Sequence, residues 1–170
     1  MLSQKTRYAL KALLELALAP EGVMLSSVAI SARRDIPVKY LEAILVELKR
    51  DGLVRGQRGR GGGYQLALSP DSISFGDVVR LTEGPLALIP CVSVSQYHRC
   101  VDCVDDRTCE LKKVFRAVRD STAKILDCWT LADALSKEGR PDGGVVASRG
   151  RRTARESSKK RSTNRKVADK

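Results

Sequence analysis

Four of the chain's five cysteines stand within nineteen residues, "CVSVSQYHRCVDCVDDRTC" at positions 91 to 109, beside its only histidine, His98. The spacing is Cys91-x8-Cys100-x2-Cys103-x5-Cys109. Thiolates are soft donors that suit zinc, Cu(I) or the irons of an iron–sulfur cluster. Structural zinc commonly uses two C-x2-C pairs, and this segment holds one, Cys100 with Cys103. His98 is separated from Cys100 by one residue, awkward for joint chelation, and reads as a solvated loop histidine. Iron–sulfur clusters tolerate irregular spacing because different irons take different thiolates. Asp102, Asp105 and Asp106 keep the loop polar and exposed. An exposed cluster is easily lost or attacked, which suits a sensor better than an electron carrier. The residues also leave open a zinc site, metal-free thiols acting as a redox switch, a disulfide formed under stress, or a loop without chemistry. Cys128 lies apart on the apolar face of a later helix and reads as a small buried hydrophobe.

The rest of the chain must position this loop. Its 170 residues suffice for one domain with appendages. With two Phe, one Trp and four Tyr, the core must be built from Leu, Val, Ala and Ile. No apolar run reaches the roughly 20 residues that span a membrane. The start, "MLSQKTRYALKALLELA", has Lys and Glu within its apolar stretch and is not a secretory signal. A cytoplasmic location follows as an expectation, and there thiols stay reduced, which weakens the disulfide. The odd number of cysteines weakens it again. The formal charge of +11 is uneven: residues 140 to 170 hold eleven Lys and Arg against three acidic residues, a net +8. That basic, charge-dense tail reads as disordered.

Apolar periodicity predicts a helix through Leu10, Leu13, Leu14 and Ala17, stopped by "APEG" at 19 to 22. A second begins at Ser26 or Ser27 and ends near Arg34. A third begins at Pro37, buries Leu41, Ile44, Leu45 and Leu48, and ends at Gly52 as a left-handed cap. "LVRGQRGRGGGYQLAL" then predicts a hairpin of strands 53–57 and 63–68. Ser74 and Asp77 form a capping box, with Ile73 and Val78 as its hydrophobic staple, for a helix over 75–83. An apolar stripe runs through Leu111, Val114, Val118, Ile125, Cys128, Ala132 and Leu135. The Thr130–Asp133 pair breaks it into a long helix ending near Trp129 and a short one.

Three short helices and a hairpin make a winged helix-turn-helix. The third helix has an apolar back and a polar front that fits a major groove about 12 Å wide. Lys39 near its N-terminus can reach a guanine or phosphate, Glu42 can accept from a cytosine amine, and Ala43 is small enough for close approach. In the wing, Arg55, Arg58 and Arg60 stand among glycines that let the backbone approach a phosphate. Gln57 or Arg58 at the tip should touch backbone or minor groove. A protein-docking role for the same module stays open. "GRGGGY" lacks the Lys-Ser/Thr of a phosphate loop.

"SQKTRYALKALLELA", "IPVKYLEAILVELKRDGLVRGQRGRGGGYQLAL" and "ISFGDVVRLTEG" resemble the Rrf2 family of bacterial transcription regulators over residues 1 to 137. The resemblance implies a mainly α fold. Its parts are a winged helix-turn-helix (1–84), a cysteine-containing sensor loop (85–107), a dimerisation helix with a short terminal helix (108–138), and, outside the likeness, the disordered tail (139–170). It implies a homodimeric regulator, not an enzyme and not membrane-bound, that binds a palindromic operator in double-stranded DNA, here as a repressor. The DNA-facing set is Ser27, Pro37, Lys39, Tyr40, Glu42, Ala43 and Arg50 from the helices, with Gln57, Arg58 and Arg60 from the wing. Cluster-binding members are similar in having three cysteines before the long helix, which Cys91, Cys103 and Cys109 match. The first gap is longer here and Cys100 is additional, so Cys100 is the candidate fourth ligand of a 4Fe–4S or 2Fe–2S cluster. Other members carry no cluster and answer to a regulatory protein partner, a metabolite or thiol oxidation, which remains the alternative.

Overall fold

Helix α1, Gln4–Leu18, turns Ala9, Leu10, Ala12, Leu13 and Leu16 inward. Ser3 caps it, its hydroxyl accepting from the Thr6 N–H at 3.2 Å. These coordinates are a computed structural model that describes residues 2–59, 61–103 and 105–136. Arg60 and the expected tail lie outside those residues.

Helix α2, Ser27–Arg34, is capped by Ser26, whose hydroxyl accepts from the Ala29 N–H at 3.1 Å. That choice between two adjacent serines leaves the Ser27 side chain available to the next helix. Asp35 ends α2 in the left-handed conformation, φ 53°. Helix α3 is Val38–Arg50. Pro37 is not in its first turn, as the sequence suggested, but is the N-cap: its ψ of 125° is extended while its carbonyl already accepts from the Leu41 N–H at 2.9 Å. Gly52 at φ 78° follows the helix end. The Leu53 N–H bonds the Leu48 carbonyl at 2.9 Å and the Gly52 N–H bonds that of Lys49 at 3.1 Å, a Schellman closure.

That closure uses Leu53, so strand β1 is Val54–Gln57, shorter than the 53–57 expected. Its partner β2 is Gly63–Leu66, ending before the expected Leu68. The two are antiparallel, with Val54 opposite Leu66 and Gln57 opposite Gly63. An unforeseen bridge pairs Leu25 with Tyr64 through two backbone bonds of 2.9 and 2.8 Å. It explains Gly63: a Cβ there would meet the Leu25 carbonyl oxygen at 2.6 Å. At Gly62 a Cβ would meet the Gln57 carbonyl oxygen at 2.3 Å. These two glycines therefore serve the wing's own closure rather than approach to a phosphate.

Helix α4, Phe75–Glu83, has the predicted capping box, with Ile73 and Val78 both buried as its staple. Helix α5, Glu110–Cys128, is followed by α6, Leu131–Leu135, with the second capping box at Thr130 and Asp133. Short 3-10 turns at Pro70–Ser72 and Pro90–Val92 complete the described elements. The starts of α4 and α6 are joined back to back: the Phe75 N–H bonds the Trp129 carbonyl at 2.9 Å, and the Leu131 N–H that of Ile73 at 3.0 Å. Leu131 thereby enters the same core as Leu13, Ile30, Leu41 and Leu45. Helix α5 buries no side chain completely. Leu111, Val114, Val118 and Ile125 of its stripe are exposed. Cys128 is half-buried rather than buried, being the last residue of a helix that buries no side chain completely. Among the described residues, no helix is long and apolar enough to cross a membrane.

Candidate nucleic-acid interface and cysteine loop

The core fixes which side of α3 faces outward. Leu41, Ile44, Leu45 and Leu48 are buried, so Lys39, Tyr40, Glu42, Ala43, Val46 and Arg50 are left on the exposed side. Ser27 donates from Oγ to Glu42 Oε1 at 3.0 Å, which holds the carboxylate at the start of α3 through one of its two oxygens. The Tyr40 ring packs edge-on against Tyr8 of α1, centroids 5.7 Å apart, so only part of it is offered outward. Arg50 stands at the far end of α3, 3.9 Å from Asp51, away from Lys39 and Glu42. Pro37 is exposed at the opposite end. Gln57 ends β1, and Arg58 and Gly59 form the exposed wing tip. Lys49 Nζ donates to the Gly56 carbonyl at 3.3 Å and ties the wing to α3.

Glu15, a buried carboxylate of α1, fastens the end of α2 to α1. It accepts from Arg33 at 3.0 Å and from Arg34 at 2.6 Å. Burial alone would raise its pKa, but the hydrogen bonds and charge of the two arginines outweigh burial and hold the carboxyl below its ordinary range. The two arginines belong to the last turn of α2, whose C-terminal dipole also favours them.

The cysteine loop is held against α5 at two places. At its start, Arg119 Nη1 donates to the Val92 carbonyl, next to buried Cys91. At its end, Lys112 pairs with Asp106. The Lys112 side chain is 13% exposed, and its ammonium lies 5.7 Å from the centre of the Tyr97 ring. The hydrogen bond from Lys112 holds the Asp106 carboxyl below its ordinary pKa. Asp105 shapes the last turn before α5 by accepting from the Arg107 N–H at 2.9 Å.

Of the four loop thiols, Cys91 and Cys100 are hydrogen-bonded. A hydrogen bond with Cys91, then burial, then the charges of Cys91, Asp102 and Cys109 push the Cys100 thiol up. Cys109 is the N-cap of α5 without a side-chain capping bond. Cys103 is linked to Cys100 through the backbone, N–H to carbonyl at 3.3 Å. All four are free thiols. As they stand, no three His, Cys, Asp or Glu side chains among the described residues are arranged to hold a metal ion. The donor chemistry nevertheless fits a soft-metal group: four thiols on one short loop, two of them hydrogen-bonded. His98 is exposed and its Nδ1 lies 3.1 Å from the Gln96 carbonyl, as expected of a loop histidine.

Residues 2–137 match the family model Rrf2, described as an iron-dependent transcriptional regulator. The chain belongs to the Rrf2 family. An rrf2-like protein of Rhodobacter capsulatus is 41% identical over 141 residues, covering 80% of this chain and 93% of the relative. The HTH-type transcriptional regulator NsrR of Halalkalibacterium halodurans is 33% identical over 137 residues, covering 81% and 91%. Among solved structures, CymR of B. subtilis, described as its global cysteine regulator, superposes with a TM-score of 0.64 at 30% identity, covering 79% of this chain and 95% of that one. IscR of T. potens gives 0.61 at 28%, covering 85% and 92%. This Rrf2 protein is thus a DNA-binding transcriptional regulator with a winged helix-turn-helix, and not an enzyme.

Pattern reading missed the connections that make this Rrf2 fold one unit. Arg80 of α4 and Asp127 of α5 form two parallel hydrogen bonds of 2.5 and 2.9 Å. They are 47 residues apart, and neither sits in a local motif. The same holds for Arg119, Lys112 and Glu15: each is an ordinary charged helix residue until its partner is known.

Proposed function

We propose that the protein acts as a homodimeric repressor of a palindromic operator, its grip on DNA set by an iron–sulfur cluster or by the thiol state of its loop. Two α3 helices enter successive major grooves, with half-sites about one or two turns apart. Lys39, Ala43 and Glu42 face base edges, with Ser27 steadying Glu42 and Pro37 packed beside them, and Tyr40, Arg50, Gln57 and Arg58 hold the backbone. Bound there, the dimer keeps other proteins off the same duplex, the physical basis for repression. The exposed stripe of Leu111, Val114, Val118 and Ile125 on α5 supports a second copy of the chain as its cover. The basic tail adds salt-sensitive, non-specific affinity.

Cys91, Cys103 and Cys109, with Cys100 as the fourth thiolate, would hold the cluster; when bound it supplies redox chemistry and lability toward oxidants. One observation carries the link to DNA: the loop is fastened to α5 through Arg119 and Lys112, and α5 to the head through Asp127 and Arg80. A change in the positions of Cys91 or Cys109 therefore pulls on the helix that sets the spacing of the two heads. A coupling of about 1–3 kcal/mol gives a 5- to 150-fold change in operator affinity.

The test is purification without air, followed by iron and sulfide counts per subunit and operator titration before and after air exposure. Bound iron and sulfide, with an affinity that changes when they are lost, is the expected result. Colourless, iron-free protein under strict anaerobiosis overturns the cluster. A second reading then takes over, favoured by the free thiols and by the likeness to a cysteine regulator: metal-free control by thiol oxidation, a metabolite or a partner protein. An oxidant such as diamide that changes the affinity of iron-free protein supports it.

A further inference from the structure

Val46 is 61% exposed in the middle of α3, on the side that also carries Lys39, Glu42, Ala43 and Arg50. It stands one helical turn after Glu42 and three residues after Ala43, the spacings that share a helix face. A β-branched residue is a weaker helix former than Lys, Glu or Gln, and an exposed one gains little from burial within its own chain. Its neighbours on this face are polar or, at Ala43, too small to cover it. The floor of the major groove offers one apolar group to such a side chain, the C5-methyl of thymine. We propose that Val46 reads that methyl group and so determines part of the operator sequence. This inference rests on the DNA-binding mode above and deepens it.

The geometry also places the base. Glu42 and Val46 are four residues apart, about 6 Å along the helix axis. Successive base pairs rise about 3.4 Å. The thymine therefore lies within about two base pairs of the pair that Glu42 contacts. With Oε1 of Glu42 held by Ser27, its other oxygen takes a cytosine amine. Each half-site thus presents a cytosine and a nearby thymine to adjacent side chains of one helix.

The test uses the full chain on a duplex selected from a random library. Thymines are replaced by uracil, one symmetric pair at a time, which removes only the methyl group. Wild type should lose about fourfold in affinity per half-site at one thymine, the worth of one apolar carbon. That position should fall within about two base pairs of the one whose preference Glu42→Ala relaxes. Val46→Ala should bind the thymine and uracil duplexes equally, and Val46→Thr, which keeps one methyl, should show a smaller loss than wild type. Absence of any such thymine, or a uracil loss that persists in Val46→Ala, overturns the inference while leaving operator binding intact. If Glu42→Ala changes no base preference but the Val46-dependent uracil loss is seen, Val46 keeps its role and Glu42 loses its own. A chain that selects no duplex overturns both the inference and the reading beneath it.

Discussion

The head and the cysteine loop with α5 are built on opposite terms. In the head, α1, α2, α3, α4 and α6 share one core in which Leu13, Ile30, Leu41, Leu45, Leu48, Ile73, Val78 and Leu131 are fully buried. Along α5 no side chain is fully buried, and its apolar stripe faces outward. The head is complete within one chain. The other half buries only a short stretch at Cys91 and Val92, is joined by the polar links Arg80–Asp127, Arg119–Val92 and Lys112–Asp106, and leaves apolar surface for something else to cover. Packing resists change because a close-packed core has few alternative arrangements, whereas a handful of charged contacts can be rebuilt at little cost. That places the rigidly packed helices and the more adjustable cysteine loop in different parts of one fold.

The contrast is easiest to break in the head. Leu45→Ala should cost about 2–5 kcal/mol in urea unfolding, because the cavity lies under α3. Val118→Ala should cost much less on that measure at concentrations too low for a dimer, since Val118 is exposed in the single chain; an equal loss there would show that α5 is as deeply packed within one chain. Next, Val118→Asp should leave the head folded by circular dichroism but yield monomers in sedimentation. Operator affinity should fall by roughly a hundredfold as the two heads lose their linkage. A variant that remains dimeric would assign the stripe to another partner.

The join between the halves gives a smaller effect. A Cβ on Gly76 would meet Asp127 Oδ1 at 2.0 Å and Arg80 Nη1 at 2.8 Å. Gly76→Ala should therefore displace the ion pair and cost about 1 kcal/mol in thermal unfolding, with a change in operator affinity beyond that loss. Unchanged affinity would detach the α4–α5 angle from DNA binding. The smallest effect is at Glu83, which accepts from the Ser3 N–H at 2.7 Å and from the Thr6 hydroxyl. Those hydrogen bonds hold its pKa at about 2, below the ordinary 4.5. A carboxyl lowered on folding stabilises above its unfolded pKa and loses that contribution as pH falls through the folded value. The stability advantage over Glu83→Gln should be present above about pH 4.5 and fade toward pH 2. An advantage independent of pH would point to shape rather than charge.

Much of this was legible in the sequence because its signals are local. The helices of the head, both capping boxes and the glycine end of α3 each depend on residues a few places apart. The exposed set on α3 followed from the buried one. What failed were boundaries decided by a neighbour: Leu53 was drawn into the α3 closure, Pro37 out of the helix, and Gly62 and Gly63 into contacts with the chain's own backbone.

From the sequence alone came the elements, the cysteine loop, the stripe on α5 and the family resemblance, since periodicity, caps and cysteine spacing are written in short windows. Only the tertiary structure decided that Ser27 holds Glu42, that Glu15 fastens α2, and that Arg80, Arg119 and Lys112 join loop, long helix and head. The reason is physical: a charge or hydroxyl on a helix surface is satisfied by water or by a partner equally well, and only the packed core determines which of them lies within reach.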